Sequence, residues 1–131
     1  MSQTNPAQIA LGGVFLQADN PAALADWYRK HFGLGFEANG GVHFCSPAAI
    51  TDIASSGYPV FSVFPRNSEY FKGSALMLNF VVADLRATLA RLQAEGVAVD
   101  TEIEDGDYGK FGWLTDPAGN RLELWQPPKA V

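Results

Sequence analysis

The residues best suited to chemistry lie near the C-terminal end of the chain. Phe111–Thr115 is rich in β-forming residues and Asp116–Asn120 has the composition of a tight turn, so this region predicts a strand, a turn and a returning strand. Because side chains alternate along a strand, Glu123 and Trp125 of the returning strand share one face. A carboxylate beside an indole indicates a concave surface, where the carboxylate can bind a cation, exchange a proton if its pKa is raised, or pair with Arg121.

Other residue types that carry chemistry are few, since the chain has two histidines and one cysteine. His43 lies on a predicted strand with Cys45 on the same face, and it is either a hydrogen-bonded core or rim residue or a second polar group within reach of Glu123. His31 falls in the last turn of a predicted helix, where a protonated imidazole interacts favourably with the helix C-terminus. The sequence offers no Ser-His-Asp set, phosphate-binding glycine loop or Cys-x-x-Cys pair, so those reaction classes lack support.

Composition limits the class of protein. The 131 residues suit one domain, and 47% hydrophobic against 18% charged residues predicts a packed core rather than disorder. The net charge of −5 argues against nucleic acid as a partner, because phosphate contacts require a basic surface. The chain has a single cysteine, no secretion signal at its N-terminus and no apolar run long enough to span a bilayer. We therefore expect a cytoplasmic protein with no membrane partner.

The first half of the chain predicts four strands and one helix. Ile9–Leu16 is an apolar strand, and the helix that follows begins at Asn20 as N-cap and ends at Gly33. Phe36–Phe44 reads as a hairpin of two strands around an Asn-Gly-Gly turn, and Pro59–Phe64 is a further strand.

The second half repeats this order. A strand at Leu76–Val82 leads into a helix that begins at Asp84, and Val97–Ile103 and the Phe111–Trp125 hairpin supply three more strands. The Ala-Asp pairs that precede the two helices lie 65 residues apart. This self-similarity predicts two β-α-β-β-β modules in a single domain. Module one covers about residues 9–64, a linker covers 65–74, and module two covers about 75–127.

The returning hairpin, Asp-Pro-Ala-Gly-Asn-Arg-Leu-Glu-Leu from Asp116 to Leu124, together with the duplication, resembles the vicinal oxygen chelate superfamily. This superfamily includes glyoxalases, bleomycin-resistance proteins and extradiol dioxygenases, and the resemblance extends from about Leu11 to Pro127. It implies an α+β fold in which two paired βαβββ modules form a cupped, incomplete barrel with helices outside. In metal-using members, the glutamate that corresponds to Glu123 is a metal ligand.

The resemblance also implies three other metal-ligand positions, which in this chain are Gly13, Ser62 and Met77. Glycine has no donor atom, a serine hydroxyl is a weak ligand at neutral pH, and a thioether suits soft copper rather than a hard divalent ion. Only Glu123 remains as a good ligand. We therefore expect no metal and no other cofactor, with a divalent metal as the alternative.

If Glu123 points into the cup, alternation along the strands predicts which residues surround it. The candidate ligand-binding residues are Phe15, Ser62, Phe64, Met77, Asn79, Phe111, Trp113 and Trp125. Glu123 and His43 are the candidate catalytic groups. Apolar and aromatic walls with a few polar groups are typical of small-molecule sites.

Three functions fit these features. The first is a metal-free binding module, similar to the bleomycin-resistance branch, for a small, partly aromatic or cationic molecule. The second is a glyoxalase-type lyase or isomerase, or a dioxygenase, that uses Glu123 with a displaced metal or as an acid or base. The third is a non-catalytic structural or regulatory protein. An incomplete barrel leaves sheet edges that need covering, so we also expect a homodimer, with Ile9–Leu16 and Tyr70–Phe71 as contact surfaces.

Overall fold

A four-stranded mixed sheet organises the computed structural model, which describes residues 14–37 and 49–129. The strands are β1 (Met77–Val81), β2 (Glu104–Gly106), β3 (Gly109–Thr115) and β4 (Arg121–Gln126), in the spatial order β1-β4-β3-β2. β1 is parallel to β4, whereas β4 with β3 and β3 with β2 are antiparallel. The helices are α1 (Pro21–Phe32), α2 (Ala49–Ile53) and α3 (Leu85–Ala94), with a 3-10 turn at Glu69–Phe71.

The second half has the predicted β-α-β-β-β order, and the fold is α+β with an open sheet. A parallel pair such as β1 and β4 requires a crossover, and α3 begins that crossover. The Asp84 carboxylate accepts a bond of 3.0 Å from the Ala87 N–H, so it is the N-cap that the sequence predicts. Asn20 caps α1 in the same way through the Ala23 N–H, and Gly33 ends α1 with φ 65°.

The hydrophobic core lies between one face of the sheet and the helices. Leucines of β3 and β4 pack there against leucines of α3 and against Tyr28 of α1. Gly112 allows α3 to approach β3 closely, because a Cβ atom at this position would lie 3.1 Å from a methyl carbon of Leu89 and 3.3 Å from one of Leu85. The opposite face of the sheet is therefore left for other contacts.

The turn between β3 and β4 is tied to α1 through Asp116. One carboxylate oxygen accepts from the backbone N–H groups of Ala118 and Asn120, each at 2.9 Å. The other accepts from the Asn120 side-chain amide at 2.9 Å and from the Tyr28 hydroxyl at 2.7 Å. Burial, together with this bond, raises the pKa of Tyr28, so the phenol stays a donor. The turn motif thus has a structural role that fixes the helix against the hairpin.

His31 has a structural role as well. It is buried at the end of α1, and its Nδ1 atom lies 2.8 Å from a carboxylate oxygen of Glu95, which caps α3. This contact is the main reason that the pKa of Glu95 is lowered. His31 therefore joins the C-terminal ends of the two helices.

Several predicted strands differ from the structure. Within the described residues, 14–16, 36–37 and 59–64 carry no strand, and much of 14–16 and 59–64 is exposed. A strand needs a neighbour for its backbone groups, and no other described segment pairs with these. The rest of Ile9–Leu16 and of Phe36–Phe44 lies outside the described residues.

The strand predicted at Val97–Ile103 is also wrong. Only Val99 forms an isolated bridge, with Leu114, and the Asp100 N–H donates to the Trp113 carbonyl. The Asp100 side chain then pairs with Arg121, and regular pairing resumes later, in β2. No helix in the described ranges is both long enough and apolar enough to cross a membrane.

Candidate functional site

Glu123 lies at the centre of the sheet face that points away from the core. The strand register places it opposite Trp113 on β3 and Asn79 on β1. The Asn79 side-chain amide donates to its Oε1 atom at 2.8 Å, and the Trp113 indole N–H donates to its Oε2 atom at 2.9 Å. Both carboxylate oxygens are therefore held from the two neighbouring strands. Alternation along the strands predicted this grouping on one face.

Burial raises the pKa of Glu123 above the ordinary value for a glutamate. The two hydrogen bonds act in the opposite direction, because they favour the ionised form, but they do not outweigh the loss of water. The negative charge of Glu104 adds to the effect of burial. The site thus holds a carboxylate whose negative charge is only partly compensated.

Arg121 shares this face but does not compensate Glu123. Its guanidinium forms two hydrogen bonds with Asp100 and donates from Nε to the Tyr70 carbonyl oxygen at 2.7 Å. The side chain is buried and its contacts fix its position. The expected alternative of an ion pair between Arg121 and Glu123 is therefore wrong, since the partner is Asp100.

Tyr70 covers Trp113. The two rings are stacked with centroids 5.3 Å apart and planes inclined by 28°. The Tyr70 hydroxyl donates to the two carboxylate oxygens of Glu104, at 2.9 and 3.2 Å. The prediction from sequence places Tyr70 at a subunit contact, and the signal for its role here is an aromatic pair within an otherwise polar linker. Trp113 is only 4% exposed, so it is a buried support rather than an open wall.

Trp125 is also covered. Its indole N–H donates to the Tyr108 carbonyl at 2.7 Å, and its ring lies nearly parallel to that of Phe111 at 6.2 Å. Tyr58 stands edge-on to it at 5.2 Å. Trp113 and Trp125, two of the candidate ligand-binding residues, are therefore closed in by neighbouring rings, which readily bury large apolar indole groups.

The other predicted site residues are dispersed. Phe64 lies beside Tyr70, with ring centroids 6.3 Å apart. Met77 pairs in register with Arg121 rather than with Glu123. Phe15 is 95% exposed, and Ser62 is exposed as well. His43 and Gly13 lie outside the described residues.

A depression of about 430 Å³ lies beside the site rather than over it. Its lining residues come from the β2–β3 hairpin and are Glu104, Asp105, Gly106, Asp107, Tyr108 and Phe111. Glu104 connects this depression with Tyr70, whereas Glu123 does not line it. We place the chemical centre at Glu123, because this residue of β4 accepts hydrogen bonds from side chains of both neighbouring strands, β1 and β3.

The described residues do not fit a divalent metal ion. Glu123 accepts hydrogen bonds at both oxygens, and Met77, at a ligand position of the resemblance, offers only a thioether. Across residues 14–37 and 49–129, no three or more His, Cys, Asp or Glu side chains cluster closely enough to hold a metal.

Comparison with known proteins gives one family. A family model described as Glyoxalase/Bleomycin resistance protein/Dioxygenase superfamily matches residues 10–124. No curated protein sequence matches the chain.

Two similar solved structures share the fold. TnmS3, an antibiotic binding protein from Streptomyces sp. CB03234, has 23% sequence identity, with 92% of this chain and 100% of that chain covered and a TM-score of 0.56. Lactoylglutathione lyase from Agrobacterium tumefaciens has 22% identity, with 92% of this chain and 95% of that chain covered and a TM-score of 0.52. At such identities the likeness shows the fold alone.

The raised pKa of Glu123 predicts a pH-dependent gain in stability for Glu123→Gln. In wild type, the Glu123 carboxyl group loses its proton at a lower pH in the unfolded chain than in the folded chain. Wild-type stability should therefore fall, relative to the glutamine variant, as pH rises from the unfolded pKa through the higher folded pKa. Urea unfolding across the acidic to neutral range measures the difference in the free energy of unfolding. Glu102→Gln, at an exposed carboxylate, is the control. A difference that stays flat or shrinks as pH rises contradicts the account.

Proposed function

The chain belongs to the glyoxalase/bleomycin resistance/dioxygenase superfamily, and we propose that it binds a small, cationic and partly aromatic molecule on the sheet face around Glu123. One observation carries this proposal. Glu123 is a partly buried carboxylate held by Asn79 and Trp113, and among the described residues no Arg, Lys or His side chain pairs with it. A cationic ligand would supply the missing compensation.

The fold alone does not distinguish binding from catalysis, because it occurs both in TnmS3, an antibiotic binding protein, and in lactoylglutathione lyase, an enzyme. The choice must be argued from the residues of the site. The Trp113 ring lies beside Glu123, and further aromatic rings lie along the same face at Tyr70, Phe111 and Trp125. Aromatic side chains beside a carboxylate favour a flat cation, since rings attract cations through their faces and bury apolar area.

We propose that binding needs no divalent metal. Glu123 is the only carboxylate at the ligand positions of the resemblance, and its oxygens already accept hydrogen bonds from Asn79 and Trp113. Gly13, Ser62 and Met77 stand at the other ligand positions of the resemblance, and none of them supplies an imidazole or a carboxylate.

A second candidate is an enzyme that uses Glu123 as a general acid or base. The raised pKa favours it, because a carboxyl group that titrates closer to neutrality exchanges protons more readily under physiological conditions. In this case a bound substrate would be converted. The binding hypothesis instead requires that the ligand is recovered unchanged.

Binding of paired cationic and neutral aromatic compounds tests the proposal. N-methylquinolinium and quinoline, which is uncharged at neutral pH, form one such pair, and larger N-methylated heteroaromatics with their parent compounds form others. Glu123→Gln should weaken the cationic members by roughly 1–3 kcal/mol, the range for a hydrogen bond or close contact with a charged group, and leave the neutral members nearly unchanged. Isothermal titration calorimetry gives the affinities.

Glu102→Gln should bind all members as wild type does. The proposal fails if wild type binds no cationic member, which would favour a structural or regulatory protein, or if Glu123→Gln weakens neutral and cationic members equally. Chemical conversion of a bound compound, lost in Glu123→Gln while binding persists, would replace it with the enzyme hypothesis.

We also propose a homodimer. Three large apolar side chains of the described segments 14–16 and 59–64, which carry no strand, are almost fully exposed, at 95% for Phe15, 84% for Phe61 and 93% for Val63. Exposed apolar groups of this size favour association with another surface. A second copy, which presents the same segments, would cover them. Tyr70 is already packed on Trp113, so its ring is a poorer contact residue than the sequence indicates.

Light scattering at micromolar concentrations tests the dimer. Wild type should have the mass of two chains, and Phe61→Ser combined with Val63→Ser should shift the equilibrium toward one chain, because it removes apolar area from the contact. A matched change at an exposed aromatic of the hairpin, Tyr108→Ser, should leave the mass of two chains. A wild-type monomer throughout this range would rule the dimer out.

A further inference from the structure

Phe64 and Tyr70 form an aromatic corner, by which we mean these two residues with the space between their rings. Their ring planes are inclined by 76° and the centroids are 6.3 Å apart. Phe64 is 40% exposed and Tyr70 is 38% exposed, although Trp113 supports one face of Tyr70 and Phe71 stands edge-on to Phe64 at 5.3 Å. The corner is therefore supported from behind and open to solvent.

Glu104 closes one end of the aromatic corner. The Tyr70 hydroxyl donates to both of its oxygens, and this bond is the main reason that the pKa of Tyr70 is raised. The phenol therefore stays neutral, and the negative charge at this end belongs to the carboxylate. A phenol that donates to a carboxylate also has a more electron-rich ring, which strengthens its attraction for a cation.

Contacts on the sheet fix the corner in place. The Tyr70 backbone carbonyl accepts from Arg121 Nε, and Arg121 is itself held by Asp100. A ligand that binds here does not need to order the linker around Tyr70. Such preorganisation lowers the entropic cost of binding.

We propose that the aromatic corner, closed by Glu104, is the subsite for the ligand's positively charged nitrogen, and that this nitrogen is N-alkylated. The inference rests on the proposed function and specifies its ligand class. A primary ammonium has three N–H donors to satisfy, whereas the corner offers it one carboxylate, Glu104, which keeps acceptor capacity beside its bond from Tyr70, and two ring faces, which are poor acceptors. A quaternary nitrogen has no donor to satisfy and is attracted by ring faces and by the nearby charge.

Calorimetry with N-methylquinolinium and quinoline tests this subsite. Tyr70→Leu removes one ring of the corner and should weaken N-methylquinolinium about two- to thirtyfold, the range for loss of a cation–π contact. Glu104→Gln keeps both rings and an acceptor for the Tyr70 hydroxyl but removes the charge, so it should weaken N-methylquinolinium and leave quinoline unchanged. Tyr58→Leu, a matched change at the ring that covers Trp125, should leave both affinities as in wild type.

The subsite is overturned if Glu104→Gln binds N-methylquinolinium as wild type does, or if Tyr70→Leu and Tyr58→Leu weaken it equally. Tighter binding by Tyr70→Leu would also overturn it, because Tyr70 would then be a cover over Trp113. Glu104→Gln preserves the packing of the corner, so its affinity for N-methylquinolinium tests the subsite even if Tyr70→Leu does not fold.

If wild type binds N-methylquinolinium and only Glu123→Gln weakens it, the subsite is wrong and the proposed function stands. If wild type binds neither compound nor any other cationic aromatic, the proposed function itself is wrong.

Discussion

The carboxylate of Glu123, held between Asn79 and Trp113, is the contact on which the site depends. This contact requires β4 to pair with β1 in parallel and with β3 in antiparallel orientation, both in the observed register. A slip of one residue would turn Glu123 into the leucine core and expose Leu122 or Leu124. The crossover through α3 and the Asp116 turn are the elements that set this register. The same features that stabilise the fold therefore position the charge.

One face of the sheet packs against the helices and the other carries Glu123. A polar contact on each side holds the neighbouring segments in place. On the helix side, Tyr28 donates to Asp116 and locks α1 over the leucine core. On the other side, Arg121 pairs with Asp100 and binds the Tyr70 carbonyl. Because the positive charge of Arg121 is used in this way, Glu123 keeps its desolvated negative charge. The charge that makes the site suited to a cation is thus a consequence of how the linker is held.

Local patterns in the sequence predicted much of this arrangement. Alternation along β3 and β4 placed Trp113 with Glu123, and capping residues predicted the starts of α1 and α3. The contacts between distant residues could not be predicted in this way. Tyr70 reaches Glu104 and Arg121 reaches Asp100 only because the folded sheet brings them together, and no periodicity records such pairs. The single bridge at Val99, where a longer strand was predicted, is likewise a contact between residues far apart in sequence.

Titration of the Glu123 carboxyl group, followed by carbon-13 NMR with Glu123→Gln to assign the signal, measures whether this carboxylate is desolvated and able to bind a cation. The pKa of Glu123 should lie above that of an ordinary glutamate, because burial outweighs the two hydrogen bonds. Saturation with N-methylquinolinium should lower this pKa, since a nearby cation favours the ionised form. A pKa in the ordinary range that does not change on saturation would contradict the claim that Glu123 is a desolvated carboxylate suited to bind a cation.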